Sequence, residues 1–349
     1  MLKLKYFELF RTLAVVLIAL LLTMLFILLI SDNKLETMRI FLAEPVSSRS
    51  HVGNVIELAI PLIFTGLAMA LMFRMNLFNL GAEGIFFFSG LVAAAVGIQT
   101  GLSPFVHPLL AILAGGAVGS MIAFVVGFLK AKWDANELVT SLMFNSILLG
   151  VGLYILNYFL RDASAYTTSS YKIAATAQLA RIIPGTRVHT GLIVALLLVV
   201  LVYIFVYKTR WGYELRMTGA NRAFAEYSGI KTGRTIVYVH LISGFIAGIG
   251  GSIEVLGMHP RFDWTALPGH GFDGALVAML AKNGPAAVVL SAFFLAYIRV
   301  GADMMSRYSD VPAEMLAVIQ SVILLLVSAD QFLKFWKNRM LLKEAQKNG

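Results

Sequence analysis

Thr12 to Ile30 reads TLAVVLIALLLTMLFILLI, nineteen residues without a charge. That length matches the ~20 apolar residues that cross a ~30 Å hydrocarbon core as a helix. Lys3, Lys5 and Arg11 precede it, as basic residues precede a signal peptide. The run is longer than a typical signal core, and no small-residue cleavage site follows, so it reads as a first span. Similar runs recur along the chain: Val52–Phe73, Ile85–Thr100, Ser103–Leu129, Leu138–Leu160, Thr190–Tyr207, Thr235–Leu256, Gly271–Ala281, Pro285–Gly301 and Pro312–Ala329. Together they predict an all-α integral membrane protein of about ten transmembrane helices. No charged or Pro/Ser-rich linker separates them, so residues 1–349 read as a single domain.

Composition points the same way and excludes several chemistries. The chain is 59% hydrophobic and 13% charged, against roughly 25% charged in a soluble domain, so lipid is its solvent. Without cysteine it has no disulfide, thiolate nucleophile or Cys-based metal site. Its six histidines never fall in an H-x-x-x-H spacing, and no metal centre is expected. The net charge of +9 suits cytoplasmic loops rather than nucleic acid. With the N-terminus inside, 18 of the 28 Lys and Arg residues fall in inside segments, which places both termini in the cytoplasm. The two long outside loops are then 31–51 and 161–189. The second carries Arg161, Lys172, Arg181 and Arg187, a basic character that plain solvation explains as well as a meeting with acidic patches on a partner.

Two segments break the pattern of full-length spans. Gly81-Ala82-Glu83-Gly84 opens the third span and Gly271-Phe272-Asp273-Gly274 opens the eighth, both reading G-x-acid-G. In the expected topology these spans run in opposite directions, as in an inverted repeat. Sixteen residues from Ile85 and eleven from Gly271 make only ~24 Å and ~16 Å of helix, both short of the core. Short, glycine-interrupted segments in corresponding halves mark a midplane pathway, because opened backbone is tolerated only where it lines a cavity. Chance placement of two glycines about an acid is the bland alternative in a chain with 30 Gly. Gly115/Gly119 and Gly244/Gly248 have small-xxx-small spacing, which serves helix packing. Among ionisable residues inside apolar runs, Glu57, Glu254, Arg299 and Glu314 lie near span ends and reach headgroup water or neighbours. His240 lies within a run, and Glu83 and Asp273 hold the better functional claim.

The longest inside loop, 208–234, holds Gly219-Ala-Asn221-Arg-Ala-Phe224-Ala225-Glu226-Tyr227-Ser-Gly229-Ile230. It reads as a short helix, with Asn221 capping its start and Gly229 its end. Ala223, Phe224, Tyr227 and Ile230 make an apolar stripe that needs cover, either headgroups or a partner protein.

At these residues the chain resembles the permease subunits of bacterial ABC importers for nucleosides, simple sugars and branched-chain amino acids. In that family G-x-N-x-x-A-A-x-x-x-G-I is the coupling helix that docks into the ATP-binding subunit. Gly219, Asn221, Ala225, Gly229 and Ile230 match it, with Phe224 in place of the first alanine and Glu226 and Tyr227 inside the same helix. Leu77-Phe78-Asn79-Leu80-Gly81-Ala82-Glu83-Gly84 is similar to the F-N-I-G-x-E-G signature of the nucleoside (guanosine-type) branch, and Gly271-Phe272-Asp273-Gly274-Ala275-Leu276-Val277-Ala278 to its G-F-D-G-I-A-V-A. The resemblance implies a multi-pass protein of the bacterial plasma (inner) membrane with three partners: a second, different permease subunit, an ABC ATP-binding subunit and an extracellular substrate-binding lipoprotein. It also implies that ATP and Mg are bound by the partner, with no cofactor on this subunit. The chain has no G-x-x-x-x-G-K-[ST], so it lacks a phosphate cradle of its own.

The pathway residues expected on this reading are Phe78, Asn79, Gly81, Glu83, Gly84, Phe86, Gly271, Phe272, Asp273 and Gly274. Asn79, Glu83 and Asp273 are expected to hydrogen-bond ribose or base, with Phe78, Phe86 and Phe272 offering aromatic faces. A permease for a simple sugar or branched-chain amino acid, and an ion-coupled secondary carrier using the same midplane carboxylates, stay open at this point. A membrane-embedded enzyme has no nucleophile-base pair to support it.

Overall fold

The computed structural model describes residues 31–312 and isolated positions 21, 24, 25, 28, 317, 318 and 321. The expected spans Thr12–Ile30 and Pro312–Ala329, with Glu314, fall almost wholly outside the described residues. Within them the helices are α1 (Lys34–Ala43), α2 (Arg49–Arg74), α3 (Ala82–Gly97), α4 (Val106–Trp133), α5 (Glu137–Ile155), α6 (Gly191–Lys208), α7 (Arg210–Ala220), α8 (Arg222–Tyr227), α9 (Thr232–Met258), α10 (His270–Leu280) and α11 (Pro285–Tyr308). No strand of a sheet occurs among the described residues; two isolated bridges, Arg161 with Ser170 and Arg181 with His189, lie in the 161–189 loop.

Among the described residues, six helices are long and apolar enough to span: α2, α4, α5 with its wide last turn Leu156–Leu160, α6, α9 and α11. Five of them lie within a few residues of an expected span, and α11 starts with its expected span at Pro285 but runs on past Gly301 to Tyr308. The two segments expected to fall short do so, with α3 at sixteen residues and α10 at eleven. The expected loop 31–51 contains α1, where Thr37 and Phe41, one helical turn apart, are buried.

The chain divides into two units, one of residues 49–296 and one whose described residues are mainly 31–48 and 297–312. In the smaller unit, Ser31 donates to an Asp310 oxygen at 2.8 Å, and the Asp32 amide donates to the other at 2.7 Å. Gly301 presses on the Phe41 carbonyl, where a side chain would not fit.

The larger unit is built around α9, which packs on α2, α3 and α4. Its contact with α4 is a small-residue seam in which the two glycine pairs read from the sequence face one another. A methyl on Gly119 would sit 2.5 Å from the Gly244 carbonyl, and one on Gly248 would sit 2.6 Å from that of Gly115. Lipid tails are as apolar as leucine, so helices gain little from hydrophobicity here; close backbone approach supplies the attraction. Ser120 adds a hydrogen bond to the Leu241 carbonyl at 3.0 Å. By contrast α4, α5 and α6 keep much of their surface exposed, with Leu113, Met121, Met143, Ile147, Leu197 and Val200 pointing outward.

The 161–189 loop is sewn to this unit rather than left free. Arg261 pairs with Asp162 at 2.6 Å and donates to the Ser170 carbonyl at 3.0 Å, while the Leu179 amide donates to the Leu256 carbonyl at 3.1 Å. Hydrogen bonds from Ser164, then the Arg261 guanidinium, hold Asp162 down to about 2.

Candidate functional site

The two G-x-acid-G segments, almost two hundred residues apart in sequence, meet. Glu83, in the first turn of α3, is fully buried, and its carboxylate lies across the N-terminus of α10. One oxygen accepts from the Gly269 amide at 2.6 Å; the other accepts from Gly271 at 2.5 Å and from Phe272 at 3.2 Å. The opening N–H groups of a helix have no partner inside it and carry the positive end of its dipole. In a bilayer such donors are costly when unmet. Glu83 therefore caps α10 from another helix. Gly271 permits this, since a side chain there would overlap the Glu83 backbone. Gly274, one turn on, lets α10 close on Thr65 of α2, where a methyl would lie 2.5 Å from the Thr65 Cβ.

The segment leading into α3 is held by the narrow buried face of α5. Ser141 accepts from the Leu80 amide at 3.0 Å, and the Asn145 side chain accepts from Gly84 at 2.9 Å while donating to the Leu80 carbonyl at 3.1 Å. Asn79 turns back to accept from the Gly81 amide at 2.7 Å. Ser141 and Asn145 escaped the sequence reading. Their signal was two polar residues four apart in an apolar run, on the same stripe as Leu148 and Gly152.

Of the ten pathway residues named from the sequence, the structure brings Gly81, Glu83, Gly84, Gly271, Phe272 and Gly274 together about this clasp. Asn79, Glu83 and Asp273 are buried, and both Glu83 oxygens already accept backbone hydrogen bonds. Phe86 is fully buried, its ring 5.8 Å from Trp264 and 5.3 Å from His270. Phe78, stacked on Phe73 at 5.0 Å, and Phe272 are the two whose rings stay exposed, at 44% and 43%.

The 208–234 segment forms the expected short helix. The Asn221 side chain accepts from the Phe224 amide at 3.0 Å and starts α8. Gly229, at φ +81, ends it in the left-handed region that a side chain resists, with the Ile230 amide returning to the Ala225 carbonyl at 3.0 Å. Ala225 faces inward and is buried, whereas Phe224 is 55% exposed and Tyr227 93% exposed. Glu226 accepts from Thr232 at 2.5 Å and pairs with Arg222 at 3.3 Å; the Thr232 hydroxyl, then Arg222, holds its carboxyl below the usual range. Gly219 rests against the backbone of Arg74 and Met75.

No group of three or more His, Asp or Glu side chains placed to hold a metal occurs among the described residues. Residues 52–328 match the model of the branched-chain amino acid transport system / permease component family. A guanosine ABC transporter permease protein of Bacillus subtilis is 34% identical over 84% of this chain and 86% of its own. A glucose ABC transporter permease protein of Haloferax volcanii is 30% identical over 85% and 81%, and a nucleoside ABC transporter permease protein of Lactococcus lactis is 27% identical over 83% and 82%. Capped, outward-facing α8, the clasp between two short helices and a family match across most of the sequence converge: the chain belongs to the family of branched-chain amino acid transport system permease components, as a multi-pass protein of the plasma membrane.

Proposed function

We propose that the chain forms the translocation pathway of an ATP-driven importer for nucleosides. The single observation that carries this reading is α8, which presents Phe224 and Tyr227 on the 208–234 loop of a membrane protein. Large rings held out by a short helix capped at both ends suit insertion into a partner's pocket. The partner is an ABC ATP-binding subunit that binds ATP and Mg. The nucleoside assignment is supported by the guanosine and nucleoside permeases of Bacillus and Lactococcus.

In this reading ten helices cross the membrane, both termini and the 208–234 loop are cytoplasmic, and the 161–189 loop is extracellular. Its Arg161, Lys172, Arg181 and Arg187 are exposed and meet acidic patches on a substrate-binding lipoprotein. A second, different permease subunit completes the pathway. The α3 and α10 segments are the broken helices of an inverted repeat. Phe78 and Phe272 offer their rings to the nucleoside, while Asn79, Gly81, Glu83, Gly84, Phe86, Gly271, Asp273 and Gly274 belong to the two short segments that line its path.

The glucose permease of Haloferax supports a second reading, with a simple sugar as cargo. Uptake of labelled guanosine by vesicles carrying the purified complex tests both. Uptake that requires ATP, survives a proton uncoupler and is unaffected by excess glucose supports the nucleoside importer. Guanosine uptake abolished by the uncoupler rules out ATP drive, and transport of glucose alone rules out the nucleoside.

A further inference from the structure

We infer that the turn of residues 74–81 is the joint through which movement of the 219–230 segment reaches α10, with Arg74 and Asn76 as its positioning residues. The inference rests on reading that segment as the docking site of an ATP-binding subunit.

On the cytoplasmic side of this joint, Gly219 has no room for a side chain, its position lying 2.9 Å from the Met75 Cα by the measure of an added methyl. The Asn76 side chain donates to the Gly219 carbonyl at 2.7 Å. Two residues later Asn221 starts α8, so the joint touches the chain immediately before the docking helix. A second line reaches the same turn: Arg222 pairs with Asp134 at 3.3 Å, and Asp134 with Lys130 at 3.0 Å. Lys130 in turn pairs with Glu137 at 3.0 Å, and Glu137 accepts from the Phe78 amide at 3.3 Å.

On the other side, Arg74 donates to the Asn283 carbonyl in the turn that ends α10, at 3.1 Å, and to the Tyr207 hydroxyl at 2.9 Å. Its guanidinium also lies 4.8 Å from the centre of the Tyr207 ring. The turn after α10 is itself tightly closed, the Asn283 amide donating to the Ala278 carbonyl at 2.9 Å. Farther along the same stretch, Glu83 holds the opposite end of α10.

The two lines into the joint differ in stiffness. Asp134 is largely exposed, and exposed ion pairs are weak and salt-screened, so the charged line keeps register but bears little load. The backbone contact at Gly219 and the single hydrogen bond from Asn76 are the stiff connection. The variant that tests the joint leaves the backbone in place and removes only the hydrogen bond.

Asn76→Gly does so. Asn76 sits at φ +56, a conformation glycine adopts without strain, so the turn survives and only the amide is lost. The measurement is labelled guanosine carried per ATP hydrolysed, in vesicles holding the full complex with its ATP-binding and substrate-binding partners. Asn76→Gly is expected to assemble normally and keep hydrolysing ATP while the guanosine carried per ATP falls about fivefold or more. Arg74→Lys, which keeps the charge but loses the forked reach to Asn283 and Tyr207, is expected to move the ratio in the same direction. An unchanged ratio in both variants overturns the inference. Loss of the ATP-binding subunit from the Asn76→Gly complex overturns it too, because Asn76 would then belong to the docking surface. Failure of the underlying reading is distinct: the unmodified complex would retain no ATP-binding subunit or carry no guanosine.

Discussion

The Glu83 carboxylate accepts the Gly271 amide at 2.5 Å, and the Glu83 backbone occupies the space a side chain on residue 271 would need. Acid and glycine are thus a matched pair. Glu83→Gln removes the charge and leaves one acceptor oxygen for three donors, and hydrogen bonds to charged groups are each worth about 1.5–3 kcal/mol. Glu83→Gln is expected to lower the melting temperature of the detergent-solubilised complex and reduce guanosine uptake, and Gly271→Ala to do so at least as strongly. Wild-type melting in both variants would show that the clasp is dispensable.

Phe224 and Tyr227 project from α8, Phe224 about half exposed and Tyr227 almost wholly so. Changing both to Asp is expected to leave membrane insertion and the melting temperature unaltered while abolishing co-purification of the ATP-binding subunit. A fully assembled, active double variant would remove α8 from the interface.

The α4–α9 seam has no room for methyl groups at Gly119 or Gly248. Overpacking of this kind costs about 1–3 kcal/mol, so Gly119→Ala and Gly248→Ala are expected to lower the yield of monodisperse protein in detergent. Gly150→Ala is the control, since a methyl there meets nothing within 4 Å. All three variants behaving alike would contradict the seam.

Asp162, held at about 2 by Ser164 and Arg261, has a folded value below the ordinary 3.8. A depressed carboxylate contributes stability that is present above the unfolded value and lost as pH falls through the folded one. Pepsin is therefore expected to spare the 161–189 loop at pH about 4 and to cut it near pH 2, with Asp162→Asn cut at both. Identical cleavage of the two proteins would mean that the Arg261–Asp162 pair does not hold the loop.

Much of the architecture was legible in the sequence, for a physical reason: an uncharged run's length reports directly on bilayer crossing. The α2, α4, α5, α6 and α9 spans follow their runs closely, and glycines beside Glu83 and Asp273 bounded the two short helices. The caps of α8 were legible because Asn221 and Gly229 act locally. What stayed hidden depends on tertiary distance. Nothing in spacing ties Glu83 to the amides of Gly269–Phe272, or Arg74 to Asn283. Nor does hydropathy separate Phe86, enclosed by Trp264 and His270, from Phe78 and Phe272, because interior and lipid are equally apolar surroundings. Helix α1 was missed because Thr37 and Phe41 are too sparse a stripe to stand out from a loop.

At eleven residues, α10 is only ~16 Å long, too short to feel the thickness of the membrane around it. A full-length span takes part of its tilt from the match between its apolar length and the lipid chains. Here that role passes to Glu83 at one end and Arg74 beside the other, nine positions apart on one stretch of chain. The helix resembles a bar gripped in a two-pronged fork, its ends held by protein rather than by lipid.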